Sequence, residues 1–126
     1  MEIQHIDHIV LTVADIEITI QFYTTILGFQ LVTFHQDRKA LIFGNQKINL
    51  HQKGKEFEPK AGKPTCGSAD LCFISNTDLK DVLKELQERG VEIIEGIVDR
   101  TGAIGKIKSI YFRDPDKNLI EVSNYE

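Results

Sequence analysis

The chain has no tryptophan, one methionine, three prolines and two cysteines among its 126 residues. Cys66 and Cys72 fit no zinc-binding spacing, and a cytoplasmic protein without disulfides is the simple reading. No Lys/Arg cluster stands out, and the net charge is -4. Phosphate binding needs concentrated positive charge, so nucleic acid is excluded as a main partner. No apolar stretch reaches the roughly 18 residues of a membrane span. The stretch Met1-Glu2-Ile3-Gln4-His5 lacks the basic and apolar regions of a signal peptide. What is present is 41% hydrophobic and 27% charged residues, ordinary for one globular domain of this length.

His5 to Val13 alternates and is rich in β-branched residues, which predicts a strand. His8, Val10 and Thr12 then share one face, and Ile9, Leu11 and Val13 the other. Asp15 is placed to cap a helix carrying Ile16, Ile20, Tyr23 and Leu27, with Gly28 stopping it. Of the adjacent pair Phe22 and Tyr23, at most one faces the core. Strands follow at 29–35, 39–43 and 47–52. The polar stretch 53–64, with Pro59 and Pro64, reads as a linker or active-site loop. The order then repeats: a strand at 68–74, a helix capped by Asp78 and stopped by Gly90, a strand at 91–94, a glycine-bearing loop from Arg100 to Lys106, a strand at 108–113, a turn at 114–117 and a last strand at 118–123. Cys72 is expected to be a small buried apolar residue, and Arg113 to pair with a turn carboxylate.

The chain is therefore written twice. His8 to Asp70 is 62 positions, and so is Gly28 to Gly90. Each copy carries a donor in its first strand, His8 or Asp70, and another in a later apolar run, His51 in Ile48-Asn49-Leu50-His51 and Glu121 in Asn118-Leu119-Ile120-Glu121. Two half-domains with two donors each could bring four ligands to one point. This predicts one α+β domain over 1–126: a module at about 4–52, a linker at 53–66 and a second module at about 67–126. The two pseudo-symmetric βαβββ modules would form a curved mixed sheet around a cleft.

The segments Asp7-His8-Ile9-Val10-Leu11-Thr12-Val13-Ala14-Asp15-Ile16, Phe22-Tyr23-Thr24-Thr25-Ile26-Leu27-Gly28-Phe29 and Phe112-Arg113-Asp114-Pro115-Asp116-Lys117-Asn118-Leu119-Ile120-Glu121 resemble the vicinal oxygen chelate superfamily. That group includes glyoxalase I, extradiol dioxygenases, fosfomycin-resistance thiol transferases and bleomycin-binding proteins. The likeness covers nearly the whole chain and is greatest to small glyoxalase-domain-containing proteins. It implies a divalent metal held by residues of both modules. By position, His8, His51 and Glu121 fall on the ligand places. Asp70, a shorter and harder donor than imidazole, stands where the family usually has His.

Two imidazoles and two carboxylates suit Zn, Ni, Mn, Fe or Co. Such an ion would act as a Lewis acid on a small substrate chelated through adjacent oxygens, with Glu121 as the catalytic carboxylate that takes a proton. Arg100 and Lys106, with the backbone of Gly102 and Gly105, are the candidates for binding an anionic substrate tail. Structural alternatives stand beside these roles. His51 could be an exposed strand-end residue, Asp70 a strand-initiating residue bonded to local N–H groups, and the Arg100–Lys106 loop a solvated hairpin. His5 and His35 are not expected to be ligands. The leading expectation is a glyoxalase I-like lyase or isomerase. A metal-free small-molecule binding or resistance protein is the alternative, and an Fe(II) ring-cleaving dioxygenase ranks below both. Unpaired sheet edges predict a homodimer.

Overall fold

A computed structural model describes all 126 residues. The chain runs β1 (His8–Val13), α1 (Ile16–Thr25), β2 (Gln30–Phe34), β3 (Arg38–Phe43), β4 (Gln46–Gln52), β5 (Asp70–Ile74), α2 (Leu79–Glu88), β6 (Glu95–Thr101), β7 (Lys106–Arg113) and β8 (Leu119–Tyr125). It divides into two compact units, Met1–Cys66 and Gly67–Glu126. Each is a βαβββ module of the α+β class. The first sheet has the order β1-β4-β3-β2 and the second β5-β8-β7-β6. In both, the first and last strands pair in parallel and the rest antiparallel. No helix is long and apolar enough to cross a membrane.

Both helices start as their caps require. The Asp15 carboxylate accepts from the Glu17 and Ile18 N–H groups, and that of Asp78 from Lys80. Such caps satisfy backbone donors that the first turn leaves open. Gly28 and Gly90 follow the helices at φ 70° and 75°, the left-handed geometry in which a side chain is strained.

One face of each sheet packs on its helix. In unit 1, Leu11, Val13, Leu41, Ile48 and Leu50 are buried, with Ile20 and Tyr23 from α1. Of the adjacent aromatics, Tyr23 is the one that faces the core. In unit 2, Ile110, Phe112, Ile120 and Val122 are buried, with Leu79 and Leu86 from α2. Each such side chain contributes about 1.5–3 kcal/mol of transfer free energy. The opposite, open face of each sheet carries the candidate site residues.

The second half departs from its sequence pattern in four places. Residues 91–94 are not strand. The β6 ladder begins at Glu95 and shifts register between Gly96 and Val98. Gly96 lies so close to Ile110 that an added Cβ would sit 2.9 Å from its Cα, so pairing depends on this glycine rather than on the apolar residues before it. Arg100 and Thr101 belong to β6, and the loop shrinks to a turn closed by Gly102 N–H donating to the Gly105 carbonyl (2.7 Å). Arg113 donates to the Lys117 carbonyl (3.4 Å) instead of a turn carboxylate. Asp114 is buried and already accepts from the Asp116 and Asn118 backbone and from Asn118 Nδ2. Cys72 is mid-strand but exposed, because residues at even positions of β5 point to the open face.

Candidate functional site

On the open face of unit 1, β1 places His8, Val10 and Thr12 beside Lys47, Asn49 and His51 of β4. His8 Nδ1 lies 2.7 Å from Asp7 Oδ2. An ionised carboxylate only accepts, so Nδ1 carries a proton, and in the neutral ring Nε2 keeps its lone pair. The hydrogen bond and charge of His8 hold the Asp7 carboxyl below its ordinary range.

His51 is in a different setting. It is 3% exposed, not the exposed strand end its polar neighbours suggest. Arg38 Nη2 donates to its Nε2 at 3.5 Å, and the Phe57 ring meets it edge-on at 5.7 Å. Burial, then the Arg38 charge, push its pKa below 6.5. A cavity of about 240 Å³ adjoins it, lined by Val10, Thr12, His51, Pro59, Lys60 and Ala61. The segment after β4 thus covers this end of the sheet. His8 pairs with Lys47, whereas His51 pairs with Thr12. Four residues of strand, about 13 Å, therefore separate the two histidines along the sheet. Unit 1 does not bring them together.

In unit 2, Glu121 of β8 lies between Cys72 of β5 and Tyr111 of β7. Ser109 Oγ donates to Glu121 Oε2 at 2.5 Å, and Ser123 Oγ reaches the same oxygen at 3.3 Å. The two hydroxyls are 2.7 Å apart, and Cys72 Sγ lies 3.4 Å from Ser123 Oγ. Both serines are fully buried. Burial pushes the Cys72 thiol up, the Ser123 bond pulls it down and the Glu121 charge pushes it up again. Arg100 Nε donates to the Tyr111 hydroxyl (3.1 Å), Nη1 to the Asp99 carbonyl (2.9 Å), and Nη2 pairs with Glu95 (3.3 Å). Burial raises the Tyr111 pKa, partly opposed by the Arg100 bond. A cavity of about 390 Å³ opens here, with Cys72, Arg100, Tyr111, Glu121 and Tyr125 among its walls. Arg100 is thus tied to its own unit, and Lys106 is not part of the wall.

Asp70 shares the open face with Glu121 but pairs with Leu119, while Cys72 pairs with Glu121. In unit 1 the residue two beyond His8 is Val10, which pairs with Asn49. With His8 and Asp70 as counterparts, Asn49 takes the place of Glu121, and His51 that of Ser123. Asn49 is 8% exposed and its Oδ1 is buried without a hydrogen-bond partner. Neither unit by itself gathers three His, Cys, Asp or Glu side chains at metal-binding distance. Sequence reading missed Arg38, Asn49, Ser109, Tyr111 and Ser123. The alternation of β7 at Ser109 and Tyr111 was the available signal for two of them. The rest required the strand register.

Comparison with known proteins agrees with the fold. The chain is 64% identical over 125 residues to Virulence protein STM3117 of Salmonella typhimurium, covering 99% of this chain and 87% of that protein. The crystal structure of that protein superposes with a TM-score of 0.99 over 100% of both chains. The Glyoxalase domain-containing protein RDO1 of Mycosarcoma maydis is 57% identical, over 100% of this chain and 71% of its own. The Metallothiol transferase FosB of Staphylococcus epidermidis is 32% identical, over 97% and 82%. The profile of the Glyoxalase/Bleomycin resistance protein/Dioxygenase superfamily matches residues 5–122, and the chain belongs to that superfamily.

Proposed function

We propose that this chain is a metal-dependent, glyoxalase-like lyase or isomerase that acts on a small oxygenated substrate. The observation that carries the reading is the state of Glu121. One carboxylate oxygen is held by buried Ser109 and Ser123, and the side chain forms part of a cavity wall of substrate size. The likeness to the metallothiol transferase FosB supports metal chemistry on this scaffold.

The bonding of each donor decides whether it can hold a divalent ion. His8 fits: its Nδ1–H is bound to a carboxylate, the usual outer partner of a metal-bound imidazole, and its Nε2 is open. Glu121 and Asp70 fit as oxygen donors. His51 does not, because Arg38 donates to its Nε2 and a guanidinium repels a second cation there. The donors proposed are His8 in unit 1 and Asp70 and Glu121 in unit 2; in unit 1, Asn49 Oδ1 is an oxygen without a hydrogen-bond partner. Zn, Ni, Mn, Fe and Co all accept such donors. Bound there, the ion would supply Lewis-acid polarisation of a substrate oxygen. Glu121 is the base for a proton α to a carbonyl, and Arg100 orients Tyr111 beside it. The outer strands β1, β2, β5 and β6 leave edges that support a homodimer.

Elemental analysis of protein purified without chelator is the test, followed by turnover of a methylglyoxal–thiol adduct under each metal. About one equivalent of metal is expected in the wild type, with its loss in His8→Ala and Glu121→Ala. Full occupancy in both variants would refute the assignment. Under a tenth of an equivalent in the wild type favours the second reading, a metal-free small-molecule binder, which the guanidinium against His51 supports.

A further inference from the structure

We infer that the cavity against His51 in unit 1 binds a small anion of the carboxylate or phosphate class, with His51 as a hydrogen-bond donor and not a metal ligand. The inference does not depend on the role of Glu121.

The ring chemistry comes first. A guanidinium has only donors. The His51 nitrogen that faces Arg38 Nη2 at 3.5 Å must therefore present a lone pair, and that nitrogen is Nε2. A neutral ring then carries its proton on Nδ1. Donation into Nε2 withdraws electron density from the ring and makes Nδ1–H a stronger donor. Arg38 thus acts through His51 as a positioning residue.

The charge balance comes second. Arg38 lies against the rings of Phe57 and Phe34, 4.4 and 5.7 Å from their centroids. No carboxylate lies within ion-pair distance of it. Of the acidic groups in the neighbouring segment, Glu58 pairs with Lys60 at 3.0 Å and Glu56 accepts from the Gly54 N–H; neither ion-pairs with Arg38, although the charges of both reach His51. A partly buried cation without a counter-ion is costly, and a bound anion beside His51 offsets that cost.

The walls come third. Thr12 brings a hydroxyl and Lys60 an ammonium already paired with Glu58, while Val10, Pro59 and Ala61 are apolar. The volume of about 240 Å³ is below the ~300–1,000 Å³ of drug-sized sites. It suits an anion of a few heavy atoms or the end group of a longer ligand.

The test is NMR of the full chain with labelled histidine rings, titrated separately with sodium acetate, inorganic phosphate and Zn²⁺. The expected result is a saturable shift of the His51 ring and the Thr12 amide with acetate, phosphate or both, and the responding probe assigns the class. His51→Gln, which keeps an N–H donor, should hold affinity within roughly threefold. Arg38→Gln should weaken it about tenfold or more. Circular dichroism checks that each variant is folded. Absence of a saturable shift with either anion overturns the inference. So does stoichiometric Zn²⁺ moving the His51 Nε2 signal in the wild type. Metal loss in His8→Ala and Glu121→Ala is a separate measurement, so the two readings can fail independently.

Discussion

Units 1 and 2 share a scaffold and differ in what they place on it. Both are βαβββ modules with a parallel outer pair and an aspartate-capped helix. On the open face of unit 1, His51 is buried against Arg38, Phe57 and a small cavity. At the matching register of unit 2 stands Ser123, which supports Glu121. Asn49, where unit 2 has Glu121, carries no charge. The duplication preserved the pairing of strands while one face came to present cations and the other a carboxylate. A repeat therefore transfers geometry between halves, not donor identity.

The comparison can be broken most severely in the two cores. Leu41 and Ile110 are each fully buried, one in either unit. Leu41→Ala and Ile110→Ala should each cost about 2–5 kcal/mol in urea unfolding. If the units fold as one cooperative body, both variants shift a single transition. A second transition in only one variant would show that the two cores are thermodynamically separate.

Glycines sharpen the contrast next. Gly28 has φ 70° with nothing near its Cβ position, so Gly28→Ala should cost about 1–2 kcal/mol. Gly67 has φ 76°, and an added Cβ would overlap the Asp116 carbonyl oxygen. Gly67→Ala adds overpacking of about 1–3 kcal/mol to the same strain. Equal melting temperatures for the two variants would mean that the Asp114–Lys117 turn yields at no cost.

These glycines also mark what could be read without coordinates. The caps at Asp15 and Asp78 and the stops at Gly28 and Gly90 are local devices, and they occur where the sequence places them. The partition of β1 into Leu11 and Val13 against Val10 and Thr12 is likewise local, since strand period alone sets it. Register across a parallel pair is not local. It depends on everything between β1 and β4, so the sequence placed His51 opposite the role of Glu121 when the sheet puts Asn49 there. The start of β6 is hidden from the sequence for a similar reason: Gly96 against Ile110 is a tertiary contact. The apolar neighbours of Cys72 hide the exposed face it occupies.

A smaller effect tests the support of the carboxylate. Ser109 is fully buried and donates to Glu121. Ser109→Ala should cost about 1.5–3 kcal/mol, the range for a hydrogen bond to a charged group. Thermal unfolding measures the loss. The double variant Ser109→Ala with Glu121→Gln should lose less than the sum of the single changes, because the two groups are partners. Full additivity would mean that the bond adds nothing to the stability of unit 2.

The smallest effect distinguishes the buried imidazole of unit 1. Its pKa in the fold lies below 6.5, first through burial and then through Arg38. Below pH 6.5 the unfolded chain takes up a proton at residue 51 that the folded chain refuses, so acid favours unfolding. This contribution to stability is fully present above pH 6.5 and is lost as pH falls through the folded pKa. The wild type should therefore lose more stability than His51→Gln between pH 7.5 and 5, measured by urea titration at each pH. The difference between the two proteins isolates residue 51 from every other group that titrates. Arg38→Ala separates the causes: if burial dominates, it keeps most of the wild-type slope. A slope as flat as that of His51→Gln would instead make the guanidinium the main reason the ring stays neutral.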